Sequence, residues 1–325
     1  MSAEGVDHFL HIPGQQALIR SVDHRLATML PETGGALQRS AAAAVRRGGK
    51  RLRPLLVLAA ADGQNLETAL QAASAVELLH LGTLVHDDII DHAAVRWGAP
   101  TVSQAEGLAR AVLVGDYLIT KAQAAAGPDV AQVLAETLAV MCEGQDEEAA
   151  VAYDPDRSVA SYLDSSRKKT AALIAAACRI GGLCAALPAG QQTALEAFGV
   201  AFGTAFQLID DLLDLLSSEE VLGKPAGHDI GQGVYTLAVL YGLQGPDRET
   251  VRGWLSHDPQ HHPAPAEAAR VLRRDGSVDR VFDEITRYNE RAVAALSPLG
   301  HSAAAGALRS LPDTYLTWAM KRLVY

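Results

Sequence analysis

Two aspartate clusters of one form, Asp87-Asp88-Ile-Ile-Asp91 and Asp210-Asp211-Leu-Leu-Asp214, are the residues best placed for chemistry. Helical residues four apart share a face, so Asp87 pairs with Asp91, and Asp210 with Asp214. Carboxylates grouped this closely repel unless cations lie between them. An all-oxygen donor set favours a hard ion such as Mg. Two such helices facing each other form a cage for metal ions and for a more negative guest, such as a diphosphate. Each cluster follows apolar residues, LGTLVH and FQLI, near the C-terminal end of its helix. The helix dipole is negative there and disfavours carboxylates. Two such breaches of local preference mark function.

The segment Gly48-Gly49-Lys50-Arg51-Leu52-Arg53-Pro54 breaks the rule with opposite sign. Its cations crowd a helix start, where an anion would satisfy both side chains and free N–H groups. His80 lies seven residues before Asp87, on its face. Gln207 lies four before Asp211 and seven before Asp214. Lys168, Lys169 and Thr170 open a long apolar stretch.

These residues must be positioned by helices. Alanine and leucine dominate a composition that is 49% hydrophobic and 5% aromatic, which favours helix over sheet. No segment alternates with period two. Helices are expected over Leu37–Arg47, from Pro54 through LLVLAAA, and over Asn65–Asp91, Ala109–Ala126, Val130–Ala152, Ser158–Ala186 and Gln191–Leu216. More follow at Tyr235–Leu243, Asp247–Leu255, Ala266–Arg274, Ser277–Leu296 and Ser302–Leu323. Residues 1–325 contain no linker-like segment, so a single all-α domain is expected. The loop Asp258–Pro265 carries His261 and His262, read as solvated residues.

The formal net charge of −10 argues against nucleic acid or an anionic membrane surface as partner. Cys142, Cys178 and Cys184 match neither a disulfide framework nor a zinc spacing and suit a reducing cytoplasm. The N-terminal residues lack a secretory h-region. The best membrane-span candidate, Ala171–Gly190, is broken by Arg179, Gly181, Gly182 and Pro188 and is read as buried core helix, so no integral membrane segment is expected.

Taken in order, GGKRLRP, ELLHLGTLVHDDIIDHAAVRWGAPT, GDYLIT, KKTAAL, FQLIDDLLDLL and GKPAGHDIGQGVYTL cover most of residues 37–245 and resemble the trans-isoprenyl diphosphate synthases, or polyprenyl synthetases. The resemblance implies an all-α bundle around a deep central cavity, usually a homodimer. It implies that Mg held by Asp87, Asp91, Asp210 and Asp214 binds an allylic diphosphate and helps it leave, with Asp88 and Asp211 behind these ligands or sharing in binding. The allylic cation then reacts with isopentenyl diphosphate, and the released diphosphate takes the proton. By position, Lys50, Arg53 and His80 hold isopentenyl diphosphate, Arg96, Lys169 and Lys224 contact the allylic diphosphate, and Thr170 and Gln207 face the reacting atoms.

Two departures stand out. The family commonly has two arginines after the first cluster; here they are Arg96-Trp97, and an indole cannot replace a bidentate guanidinium. A later loop that often reads G-K-x-T-L-P is Gly233-Val234-Tyr235-Thr236-Leu237-Ala238. Trp97 keeps open a terpene synthase or atypical prenyltransferase that uses an allylic diphosphate without the usual acceptor. A non-catalytic subunit is disfavoured by the presence of both clusters. Short-chain members often place an aromatic residue one turn before the first aspartate. Gly82 and Thr83 stand there, with Val76, Ala73 and Ala69 deeper, so an all-trans product longer than geranylgeranyl is expected unless Tyr117 or Phe206 plugs the channel.

Overall fold

The computed structural model describes residues 10–47, 49–217, 228–255 and 263–323. Lys224, His261 and His262 lie outside the described residues. The helices are α1 (Gln15–Met29), α2 (Ala36–Arg46), α3 (Leu52–Ala61), α4 (Leu66–Ile90), α5 (Val102–Glu106), α6 (Leu108–Ala125), α7 (Pro128–Ala150), α8 (Val159–Ser166), α9 (Ala172–Cys184) and α10 (Ala189–Leu216). After these come α11 (His228–Gly231), α12 (Leu237–Gly242), α13 (Arg248–Trp254), α14 (Pro265–Arg274), α15 (Ser277–Ala295) and α16 (Ala303–Met320). The only strands among the described residues are β1 (Val95–Arg96) and β2 (Ala99–Pro100), an antiparallel pair. Trp97 and Gly98 turn between them with φ of 52° and 76°, which suits a two-residue hairpin loop needing two left-handed residues.

The core is helix on helix. α4 packs against α1, α3, α6 and α9, and α10 against α9, α15 and α16. Small residues set the closest approach. A Cβ at Gly203 would lie 2.7 Å from Ala171 Cα, and one at Gly199 would lie 2.4 Å from Ala175 Cα. Only glycine allows α10 to press so closely on α9 and the turn before it, and Gln207, one turn beyond Gly203, thereby meets Thr170.

The helix expected over Ser158–Ala186 forms, but not as one regular α-helix. A π-helical turn, Arg167–Ala171, divides α8 from α9. Such turns add a residue to the helical path, a shift that hydrophobic periodicity does not reveal. Gly144 of α7 makes room for it: a Cβ there would lie 2.6 Å from Lys168 Cβ and 2.9 Å from Lys169 N. α1, absent from the sequence reading, buries Val22 and Leu26 four residues apart.

Ala171–Gly190 lies in buried core helix as expected, although a different helix is the better match to a membrane span. Ala171–Gly190 is split between the π turn, α9 and the start of α10. α4 is the one described helix long and apolar enough to cross a membrane, and 72% of its apolar window is buried within the bundle.

Candidate active site

α4 and α10 deliver their clusters at their C-terminal ends. Asp91 is the C-cap of α4, its N–H bonded to Asp87 O at 2.8 Å. Asp87 is half-buried and Asp91 exposed. Burial, with Asp91 and Asp88 nearby, pushes the Asp87 carboxyl up to about 6, against the pull of Lys169 and Arg96. Asp88 is 4% exposed and turns to Arg96, whose Nε donates to its Oδ1 at 2.6 Å. Arg96 is thus engaged by the first cluster through Asp88.

The second cluster is held differently. Asp211 accepts from the Tyr162 hydroxyl of α8 and, at 2.7 Å, from Gln207 Nε2. Gln207 Oε1 in turn accepts from Thr170 Oγ1 at 2.6 Å. Burial pushes Asp211 up to about 7, while its Tyr162 and Gln207 hydrogen bonds hold it down. Asp210 Oδ1 accepts from the Tyr315 hydroxyl of α16 at 2.8 Å. Asp214 is buried, and its Oδ2 accepts from Asp229 N at 3.3 Å.

Between the clusters stand the cations. The basic segment divides its work. Arg51 is buried and structural: it pairs with Asp23 of α1 at 2.9 Å and Glu77 of α4 at 2.7 Å. Arg53 bonds His80 Nε2 through Nη1 at 2.9 Å and lies within electrostatic reach of Glu77, Asp210 and Asp87, one carboxylate from each cluster among them. Burial and the nearby Arg53, Arg96 and Arg51 push His80 well below the usual imidazole range, so it is neutral. A neutral ring accepts from Arg53 and orients it rather than adding charge. Lys169, carried by the π turn, pairs with Glu148 and feels Asp87 and Asp91; these carboxylates raise its pKa despite burial. Lys50 is partly desolvated, which lowers its pKa, and Asp210 opposes that. Its Nζ lies 4.0 Å from the Trp318 ring centroid.

The structure brings Arg53 to His80, Arg96 to Asp88, Lys169 to the first cluster, and Thr170 and Gln207 to Asp211, with one correction to the expected metal cage. Among the described residues no three His, Cys, Asp or Glu side chains converge on one metal-sized point. Among the described residues the carboxylates do not by themselves form the expected cage. Sequence reasoning missed Tyr162, Tyr315, Glu148 and Trp318. Tyr162 shares the second cluster's surroundings only because the π turn intervenes, and Tyr315 is 105 residues from its partner.

The structure also places the departure at Trp97 and the small residue at Gly82. Trp97 is 39% exposed, and a Cβ at Gly49 would lie 3.6 Å from its Cη2, so the indole borders the loop that presents Lys50. Gly82 does not open the channel: a Cβ there would lie 2.9 Å from Ile119 Cγ1 of α6. Its absent side chain is replaced by Ile119. Thr83 bonds its Oγ1 to His80 O at 2.8 Å. Phe206 is stacked on Tyr315 at 4.8 Å between centroids, and Tyr117 sits beneath Lys121 at 5.5 Å.

A family model described as polyprenyl synthetase matches residues 35–272. The chain is 37% identical over 300 residues to heptaprenyl diphosphate synthase component 2 of Geobacillus stearothermophilus, covering 90% of this chain and 93% of that one. It is 35% identical to a geranylgeranyl diphosphate synthase of Methanosarcina mazei, covering 86% and 88%. Its fold matches a Caulobacter crescentus polyprenyl synthase, solved with calcium and isoprenyl diphosphate, at a TM-score of 0.85 and 30% identity, covering 95% and 96%.

Proposed function

The chain belongs to the polyprenyl synthetase family, and from that premise we propose that it condenses isopentenyl diphosphate with an allylic diphosphate, with Mg, to an all-trans product longer than geranylgeranyl. The carrying observation is the pair of aspartate clusters at the ends of α4 and α10, with Arg53 within electrostatic reach of Asp87 and Asp210. Asp87, Asp91, Asp210 and Asp214 fit a hard divalent cation: all donors are carboxylate oxygens, and burial with neighbouring charge disfavours Asp87 as an unpaired anion. When bound, Mg supplies Lewis-acid charge to the departing diphosphate.

The remaining roles follow from the side chains. Lys169 holds its charge beside Asp87 and Asp91 and adds a donor for the allylic diphosphate; Lys224 is proposed for the same anion. Arg96 fixes Asp88 and keeps its positive charge near that anion. Thr170 and Gln207 are locked to each other and to Asp211, so their polar atoms keep one orientation beside the reacting carbons. Lys50 and Arg53, the latter oriented by neutral His80, take the acceptor diphosphate. No aromatic residue stands at 82 or 83, and Phe206 is engaged with Tyr315. One turn below Asp87 stand Thr83 and, in place of a side chain at Gly82, Ile119, so no aromatic ring occupies that level, which supports a long tail.

Leu108, Val112 and Leu113 expose an apolar face on α6, with Ile90 and Val95 also exposed. This face supports assembly with a second copy of the chain. Cytoplasmic placement belongs to the same proposal, supported by three free cysteines.

The test is product analysis of the purified chain with farnesyl and isopentenyl diphosphates and Mg. Chains beyond four units are expected. Growth ending at four or fewer would overturn the length assignment. Hydrocarbon released without isopentenyl diphosphate would overturn the condensation itself. Light scattering at assay concentrations checks the dimer.

A further inference from the structure

Helix α16 reaches both halves of the site through one aromatic strip. Tyr315 is fully buried and donates to Asp210. Its ring stacks on Phe206 at 4.8 Å and on Trp318 at 5.4 Å, with interplanar angles of 15° and 19°. Phe202 meets Tyr315 edge-on at 6.1 Å. Trp318, also buried, carries Lys50 Nζ at 4.0 Å and Arg322 Cζ at 4.0 Å from its ring centroid. The end of α10 ties down the far side, where Ser217 Oγ donates to Arg322 O at 3.0 Å.

Lysine is a long, freely rotating side chain, and holding its ammonium in one place costs rotamer entropy. A desolvated aromatic face recovers part of that cost. Tyr315 occupies one oxygen of Asp210 and so fixes how that carboxylate presents the other, as hydrogen bonds to metal-ligating carboxylates do.

We infer that Trp318 is a positioning residue for Lys50 and Tyr315 a positioning residue for Asp210, so that α16 sets the acceptor-diphosphate cation and the second metal clamp together. The inference rests on the acceptor reading given above.

Steady-state kinetics with each substrate varied tests it. Trp318→Leu raises KM for isopentenyl diphosphate about 3- to 30-fold and leaves KM for the allylic primer within about twofold; Trp318→Phe, which keeps a π face, recovers most of the loss. In a Lys50→Met background, Trp318→Leu adds no further rise in KM for isopentenyl diphosphate. Tyr315→Phe keeps the stack and raises at least about 10-fold the Mg concentration that gives half of the rise in melting temperature. An equal rise in both KM values, or a phenylalanine variant as impaired as the leucine one, overturns the positioning role.

A binding readout separates this inference from the condensation reading. The chain has three tryptophans, so Trp97→Phe with Trp254→Phe leaves Trp318 as the sole indole. Inorganic diphosphate with Mg then shifts its emission, and Lys50→Met removes the shift. A response that survives Lys50→Met overturns the inference even in a protein that elongates normally. A Lys50-dependent response sustains it even if the wild type releases hydrocarbon without the acceptor.

Discussion

Replacing Tyr162 with Phe removes one hydroxyl from a buried network and leaves the ring's volume in place. The hydroxyl donates to Asp211, whose other oxygen is taken by Gln207. Burial holds the Asp211 carboxyl up at about 7, and the Tyr162 bond is one of the two that restrain that rise. A neutral hydrogen bond contributes about 1 kcal/mol, and one to a charged group about 2–3 kcal/mol. The variant therefore loses more when Asp211 is ionised than when it is protonated. The sign follows from linkage. The folded-state pKa lies above the unfolded carboxylate value, so the folded chain keeps a proton that the unfolded chain has lost, and stability falls as pH rises from the unfolded value to about 7 and then levels off. Losing the donor raises that pKa further, and the added penalty appears as pH rises through about 7. At roughly 2 °C per kcal/mol for a chain of this size, metal-free protein should melt about 2 °C lower at pH 6 and about 4–6 °C lower at pH 8.5. Differential scanning fluorimetry in chelator measures both. An equal drop at the two pH values, or a larger one at pH 6, refutes the assignment of Asp211 as the buried, donor-dependent carboxylate.

Other outcomes follow from the same geometry. Arg96→Leu strands the buried Asp88 carboxylate and should cost about 3 kcal/mol, measured by urea denaturation, with a rise in KM for the allylic substrate. Thr83→Phe places a ring one turn below Asp87, and chromatography of the products should show shorter chains at an initial rate within about 10-fold of wild type. Gly144→Ala pushes a methyl to 2.6 Å from Lys168 Cβ; it should lower stability by about 1–3 kcal/mol and reduce kcat with it, because the π turn that carries Lys169 and Thr170 must move. Asp87→Asn with Asp91→Asn should abolish the rise in melting temperature on adding Mg, which for wild type reaches about 2.7 kcal/mol of stabilisation at 100 times Kd.

The clusters were legible because their chemistry is local. The four-residue spacing that pairs Asp87 with Asp91 is a property of any helix, and α4 runs Leu66–Ile90 against an expected Asn65–Asp91. The cations Lys50 and Arg53 were legible for the same reason. What sequence did not show is set by packing. The π turn depends on Gly144 standing opposite it on another helix. Tyr315 becomes a partner of Asp210 only when α16 crosses α10. Gly82 looked like an opening, and only the neighbouring helix reveals Ile119 in its place. Trp97 looked like the loss of a substrate contact; it occupies a left-handed hairpin turn beside Gly49.

The π turn also fixes the phase of the helices around it. Each residue of an α-helix advances the direction of side chains by about 100°, so one added residue rotates everything before it, relative to everything after, by about that angle. α9 can then keep its apolar side on α10 while Tyr162, on the far side of the turn, still faces Asp211. A one-residue deletion within Arg167–Ala171 would not merely shorten a loop. It would swing α8 out of phase with α10 and take Tyr162 away from the second cluster, although every side chain named in the site remained in the sequence.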